Sequence, residues 1–173
     1  MPGQPRVGLV AIDGTVAREA ASPDAAFARE LGLETAHVRD LMAGIIAMTP
    51  PAMLAAGPWG NFFAFDAATR EVIGCCGFKH PPDRSGTVEI AYHTFPPFER
   101  RGYATAMAAE LVSRARASGR VRRILAHTLA GPSASTRALE RAGLAFAGEA
   151  DDPEAGRVWR WLSTVEGTLR SLS

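Results

Sequence analysis

One segment, residues 88–118, constrains the fold more than any other part of the chain. A short apolar strand ends at Pro96 and Pro97, and the loop that follows turns through Gly102 directly into a helical pattern. A helix that begins in this way exposes backbone N–H groups that no helical carbonyl accepts, and its dipole adds partial positive charge. The segment therefore predicts an anion-binding helix N-terminus after a strand. The alternative is an ordinary glycine-containing loop that enters a helix.

Short strand-forming runs precede this segment, and turn residues separate them. Connections as short as these join antiparallel neighbours, so the runs predict an antiparallel meander. The predicted strands are residues 7–12, 61–66, 71–79 and 87–93. Apolar residues at helical spacing predict two helices in the N-terminal third, over residues 24–31 and 35–48.

After residue 102 the spacing alternates between helix and strand. We predict a helix over 103–118 with Gly119 at its end, a strand over 124–129, a short helix capped by Ser133, and strands over 144–149 and 157–163. A strand, a crossover helix and a further strand form a parallel pair. The sequence therefore predicts one α/β domain over residues 1–173, with a mixed sheet and helices on both faces.

The composition excludes several classes of protein. The formal net charge is +1, so we expect neither nucleic acid nor a membrane as a partner. The two cysteines, Cys75 and Cys76, are adjacent, which fits a reduced, cytoplasmic protein rather than a disulfide framework. No spacing of histidine, cysteine and acidic residues predicts a metal site. The total charge hides a basic region, because residues 100–123 contain seven arginines and one acid, Glu110.

Three motifs between residues 88 and 149 resemble the GNAT acetyltransferase superfamily, and most of all its branch of RimJ and RimL ribosomal-protein N-terminal acetyltransferases. They are the strand Glu89–Tyr92, the loop Arg100–Thr105 and the helix end Leu139–Leu144. The resemblance makes residues 87–149 an acetyl-CoA-binding core and residues 1–60 a helical, substrate-side half of the same domain. Leu139 stands where many members have the tyrosine that protonates the leaving thiolate.

The resemblance implies acetyl-CoA held between the parallel strands 87–93 and 124–129, which would splay apart at their ends. The backbone of Tyr92, His93 and Thr94 would bind the pantetheine arm and the acetyl carbonyl. The loop would hold the pyrophosphate through Arg100, Arg101, Gly102, Tyr103, Ala104 and Thr105. The implied activity is direct transfer of the acetyl group to a primary amine, of a protein N-terminus or of a small molecule. A homodimer is left open.

Two residues are the candidates for the chemistry itself. Glu89 lies mid-strand, where a carboxylate of raised pKa could accept the amine proton; the alternative is a structural glutamate paired with an arginine or with Lys79. Ser135 could donate to the thiolate or bind the pantetheine arm; the alternative is a helix cap or an ordinary hydroxyl in the first turn of the helix. His93 and His127 lie on the two strands expected to splay, and for His127 we favour a structural role.

Two other functions remain open at this point. A GNAT-fold module could bind CoA without catalysis, as a sensor or partner domain. The arginines between Arg114 and Arg123 could form a nucleic-acid patch, but they lack accompanying aromatic residues and a reading helix. They fit a solvated helix end better, and some could meet the 3′-phosphate of CoA.

Overall fold

A seven-stranded sheet runs through the part of the chain that the computed structural model describes, residues 3–16 and 57–165. Its strands lie in the order β1-β2-β3-β4-β5-β7-β6. They are β1 (Val7–Ala11), β2 (Asn61–Asp66), β3 (Val72–Phe78), β4 (Thr87–Thr94), β5 (Arg123–Leu129), β6 (Ala145–Asp152) and β7 (Gly156–Thr164).

The directions of the strands follow the lengths of their connections. Strands β1 to β4 form an antiparallel meander, and β5 pairs antiparallel with β7, which pairs antiparallel with β6. The β4–β5 pair is parallel, because a helix crosses from the end of one strand to the start of the next. The predicted mixed α/β fold, a meander followed by a parallel pair, is confirmed.

That crossover helix is α1 (Tyr103–Ala117), and the shorter α2 (Ala134–Arg141) follows β5. The residues spaced four apart in α1 are all buried against the sheet: Tyr103, Met107, Leu111 and Ala115. Burying a side chain such as Met107 or Leu111 contributes about 1.5–3 kcal/mol, so this apolar stripe fixes the helix over the meander. Gly119 follows the helix with a φ of +67°, as expected of a C-terminal glycine.

The helices predicted for residues 24–31 and 35–48 lie outside the described residues. Within residues 3–16 and 57–165, no helix is both long enough and apolar enough to cross a membrane. The same residues hold no group of three or more histidine, cysteine or acidic side chains arranged for a metal ion.

Candidate active site

The parallel strands β4 and β5 separate part of the way along their length. Their ladder runs from Thr87 opposite Arg123 to Glu89 opposite Leu125 and then ends. Strand β4 stays paired with β3 as far as Thr94, and β5 stays paired with β7 as far as Leu129. A wedge-shaped gap therefore opens between the two strand ends, in the place where the family resemblance implies a splay.

The backbone of β4 has polar groups that face this gap. The N–H of Lys79 donates to the carbonyl of Glu89, and the N–H of Phe95 donates to the carbonyl of Ile73. Antiparallel pairing uses every second residue, so odd-numbered β4 residues bond to β3 and even-numbered ones point their backbone groups toward β5. Beyond Glu89 this leaves Tyr92 and Thr94 facing the gap, whereas the backbone of His93 belongs to the β3 ladder.

Two cavities meet at the gap. The loop cavity, of about 490 Å³, lies between the end of β4, the start of α1 and α2. The gap cavity, of about 370 Å³, lies between the diverging strands and includes Glu89 and His127 in its wall. Tyr92 and Ser135 border both. A long ligand that threads from the loop cavity into the gap cavity therefore passes these two residues.

The start of α1 gives the loop cavity its attraction for anions. Gly102 precedes the helix with a φ of 86°, and no side chain caps the helix. The backbone bond from the N–H of Ala106 to the carbonyl of Gly102 is the first of the helix, so the N–H groups before it have no helical acceptor. Arg100, the other residue of this loop with a positive φ, 61°, also borders the cavity.

Arginines from two elements surround the loop cavity. Arg137 and Arg141 of α2 line it together with Arg100, against one acid, Glu99. The guanidinium of Arg101 instead lies over the rings of Phe98 and Tyr103, at 5.7 and 5.5 Å. Of the predicted loop residues, Arg100, Gly102, Tyr103, Ala104 and Thr105 border the cavity, and Arg101 is absent from its wall.

One buried hydroxyl in this region has no partner. Thr94 Oγ1 is shielded from solvent and makes no hydrogen bond within the described residues, although Thr94 borders the loop cavity. A buried hydroxyl without a hydrogen bond is costly, so such a group marks a place where a ligand completes the bonding. The unpartnered Thr94 hydroxyl, the uncapped helix start and the arginines together fit a phosphorylated ligand such as acetyl-CoA.

A buried hydrogen bond ties the start of α1 to the meander. The hydroxyl of Tyr103 donates to Asp66 Oδ2 at 2.7 Å, and Asp66 Oδ1 accepts the backbone N–H groups of Ala68 and Thr69. The bond from Thr69 is the largest influence on Asp66; with the bonds from Tyr103 and Ala68 it outweighs burial and lowers the pKa of this carboxyl. The β2–β3 turn thus anchors the loop that faces the cavity.

Glu89 sits at the mouth of the gap with two basic partners. Its Oε1 accepts from Lys79 Nζ at 2.5 Å and from His127 Nδ1 at 2.9 Å. Burial alone would raise the pKa of Glu89 and is the largest single influence, but the bonds and charges of Lys79 and His127 together lower it. The expectation of a raised pKa is therefore wrong, and the predicted alternative, pairing with Lys79, is observed.

Ser135 and Tyr92 meet where the two cavities join. The hydroxyl of Tyr92 donates to the backbone carbonyl of Ser135 at 3.0 Å, and burial raises the pKa of Tyr92 to about 12. The helix-capping role considered for Ser135 belongs to Ser133, whose Oγ accepts the N–H of Thr136 in a capping box. The side chain of Ser135 is exposed at the cavities instead.

The remaining predictions have mixed outcomes. No arginine between Arg114 and Arg123 borders either cavity; Arg114 pairs with Glu110, and Arg116 bonds Ser163. Arg137 and Arg141 line the loop cavity but were not predicted to bind a ligand, although their spacing of four on a short helix was a usable signal.

Residues 14–145 match the acetyltransferase (GNAT) domain family. No curated protein sequence matches the chain. The microcin self-immunity acetyltransferase MccE, solved in complex with acetyl-CoA and AMP, has a TM-score of 0.65 at 13% identity, with 92% of each chain covered. The RimL ribosomal alpha-N-protein acetyltransferase, in complex with coenzyme A, has a TM-score of 0.63 at 15% identity, covering 92% of this chain and 94% of that one. The spermidine/spermine N-acetyltransferase SpeG from Vibrio cholerae, in complex with manganese ions, has a TM-score of 0.62 at 13% identity, covering 92% and 93%. At these identities the likeness shows the fold.

Proposed function

The chain belongs to the acetyltransferase (GNAT) domain family, and from this premise we propose that it transfers the acetyl group of acetyl-CoA to a primary amine by direct attack. The observation that carries the proposal is that the two cavities adjoin, since Tyr92 and Ser135 line both of them. An uncapped helix start lies at one end, a carboxylate and an imidazole lie at the other, and two hydroxyl-bearing side chains stand between them.

Residues of the loop cavity are suited to the charged end of acetyl-CoA. We propose that the N–H groups from Gly102 to Thr105 hold the pyrophosphate, because they point out of the helix N-terminus without acceptors. Arg100, Arg137 and Arg141 add charge for the phosphates, and Thr94 Oγ1 gains the partner it lacks. The backbone groups of Tyr92 and Thr94 that face the gap would bond the pantetheine arm.

Acetyl-CoA supplies an acetyl group activated as a thioester. The backbone N–H of Tyr92 faces the gap and would stabilise a carbonyl oxygen there as it gains negative charge. The Glu89–His127 pair receives the proton that the attacking amine gives up. The Ser135 hydroxyl, exposed at the junction of the cavities, would donate a hydrogen bond to the departing sulfur.

The acceptor class follows from the relatives and the motifs as a proposal. The motifs from Glu89 to Leu144 favour the RimJ/RimL-like branch, and one similar structure is named a ribosomal alpha-N-protein acetyltransferase and another a spermidine/spermine N-acetyltransferase. We therefore propose a protein N-terminus or a small-molecule amine as acceptor. Two free cysteines agree with a reducing, cytoplasmic location.

An acceptor screen tests the proposal directly. The purified chain is incubated with acetyl-CoA and a panel of peptides, polyamines, amino acids and aminoglycosides, and released thiol is measured. Transfer to at least one class is expected, with micromolar to millimolar acetyl-CoA binding by calorimetry. Binding without transfer would support the alternative of a non-catalytic CoA-binding module. Failure to bind millimolar acetyl-CoA would refute both.

A further inference from the structure

The imidazole of His127 is held in one orientation at the edge of the gap cavity. Its Nδ1 lies 2.9 Å from Glu89 Oε1, and about a quarter of its side chain, 26%, is exposed. Among residues 3–16 and 57–165, no group hydrogen-bonds to Nε2. When Nδ1 donates its hydrogen bond to the carboxylate, Nε2 of the neutral ring keeps its lone pair and is an acceptor, in a side chain that lines the gap cavity.

Glu89 is poorly suited to be the proton acceptor itself. Its Oε1 already accepts from Lys79 and from His127, and only 14% of its side chain is exposed. Its lowered pKa makes the carboxylate a weaker base than an ordinary glutamate. The same contacts make Glu89 well suited to hold and orient a neighbouring ring, as a carboxylate does for histidine in other active sites.

From these contacts we propose that His127 Nε2 is the group that takes the proton from the acceptor amine, and that Glu89 is its positioning residue. The inference rests on the proposed acetyl transfer and names the base of that reaction. It replaces two earlier predictions, that Glu89 takes the proton and that His127 is structural.

The reaction then balances as follows. His127 Nε2 takes a proton from the amine while the amine nitrogen forms its bond to the acetyl carbon. The carbon–sulfur bond breaks with its electron pair on sulfur. The proton gained by His127 returns through water to that sulfur, so the products are an amide and a free thiol, and the imidazole is neutral again.

Charged groups from four elements face His127 and bear on its pH dependence. Glu89 on β4 and Asp152 at the end of β6 are acidic and favour the imidazolium. Asp152 senses the ring in turn: its pKa is lowered mainly by hydrogen bonds from the Ala155 and Glu154 backbone, and to a smaller extent by the charges of Lys79 and His127. Lys79, just after β3, and Arg160, opposite His127 on β7, disfavour the imidazolium.

The experiment measures kcat/KM against pH for the wild type, His127→Asn, Glu89→Gln and the control His80→Asn. His80 is half-buried, bonds the Pro81 carbonyl and borders neither cavity. The acceptor found in the screen is used for all four, so the ionisation of the amine affects every profile equally. Calorimetric acetyl-CoA affinity and thermal melting verify that each variant is folded.

His127→Asn is expected to lower kcat/KM by about 10²- to 10⁴-fold and to remove the acid-side inflection of the profile. Glu89→Gln is expected to cost about tenfold and to move that inflection to lower pH, because the imidazolium loses a carboxylate partner. His80→Asn should match the wild type.

Two results overturn the inference while leaving the proposed function intact. One is full activity with an unchanged inflection in folded His127→Asn. The other is an inflection that disappears in Glu89→Gln but persists in His127→Asn, which would make the carboxylate the base. A wild-type protein that acetylates no acceptor would instead refute the proposed function itself.

Discussion

Removing one hydroxyl, in Tyr103→Phe, tests whether the meander anchors the anion-binding loop. Tyr103 is the first residue of α1, only 4% of it is exposed, and its hydroxyl donates to Asp66 at 2.7 Å. A hydrogen bond to a charged partner contributes about 1.5–3 kcal/mol. For a chain of this size such a loss lowers Tm by about 3–12 °C.

The matched control is Tyr92→Phe, because the chain has only two tyrosines and each donates one hydrogen bond. The acceptor of Tyr92 is a neutral carbonyl, so its loss is expected to cost about 0.5–1.5 kcal/mol. Denaturant unfolding at pH 7 compares the two variants with the wild type. We also expect Tyr103→Phe to raise the KM for acetyl-CoA more than it lowers kcat, since the loop that would hold the pyrophosphate loses its anchor.

The pH dependence of the free energy of unfolding further distinguishes the Tyr103–Asp66 bond from the Tyr92–Ser135 bond. The folded-state pKa of Asp66 is lowered, so its contribution to the free energy of unfolding is fully present above the unfolded value of about 3.9 and is lost as pH falls through the folded value. The deficit of Tyr103→Phe should therefore be constant from pH 7 to about pH 5 and shrink below about pH 4. A deficit equal to that of Tyr92→Phe, or one that stays constant to the lowest pH at which the protein folds, would contradict the charged-acceptor explanation.

Three further predictions concern single side chains. Arg137→Gln should raise the KM for acetyl-CoA about three- to tenfold with little change in kcat, whereas the control Arg114→Gln, away from the cavity, should leave this KM unchanged. Steady-state kinetics measures both variants, and equal effects would show that α2 has no role in binding. Ser135→Ala should lower kcat by about 10- to 150-fold, the value of one hydrogen bond to a charged atom, while Ser133→Ala should lower Tm instead. An unchanged kcat in Ser135→Ala would assign Ser135 no part in the chemistry. Burial raises the pKa of Cys75 to about 11, so a thiol reagent should react with it slowly at pH 8. A reaction as fast as that of a free thiol would show that Cys75 on β3 is accessible to solvent.

The strand–loop–helix segment could be predicted because its signals are local. Gly102 is needed where φ reaches 86°, and the apolar spacing of four in α1 reports which helix face is buried. The parallel pairing of β4 and β5 follows from the length of the crossover alone. The glycine position and the buried helix face are decided within about fifteen residues of chain, the range over which spacing and turn chemistry act, and the pairing is decided by the single connection over residues 95–122.

The chemistry at Glu89 could not be predicted in the same way. Its partner Lys79 comes from the preceding hairpin, and His127 lies 38 residues further along on a parallel strand. A carboxylate in a cleft has its pKa raised by burial and lowered by cations, and the balance depends on which cations the fold brings near. The sequence identified the burial and one of the two cations, so it predicted the wrong direction.

The basic character of residues 100–123 predicted an anionic ligand, but only some of the arginines at the loop cavity belong to that segment. Arg114 and Arg116 are committed to Glu110 and Ser163, and the arginines at the loop cavity come from Arg100 and from α2. Net charge along a segment reports a field that acts over about a Debye length, roughly 8–10 Å, but contacts with a phosphate need a guanidinium at hydrogen-bond distance. The tertiary packing of α2 against α1 is what places the guanidinium groups of Arg137 and Arg141 at the loop cavity.

The leaving sulfur must gain a proton, and the hydroxyls and the imidazole of the site are the groups that could supply it. Leu139 is fully buried, so the residue that stands in place of the usual tyrosine contributes packing and no proton. Tyr92 is the phenol nearest the junction, but its pKa of about 12 means that giving a proton to a thiolate of pKa about 8.5 costs about 5 kcal/mol. A hydroxyl there serves better as a hydrogen-bond donor than as an acid. Near neutral pH a thiolate can leave without being protonated first. The one proton transfer that the described side chains assist is therefore removal of the proton from the amine. In our proposal that proton goes to the His127 ring, which Glu89 orients.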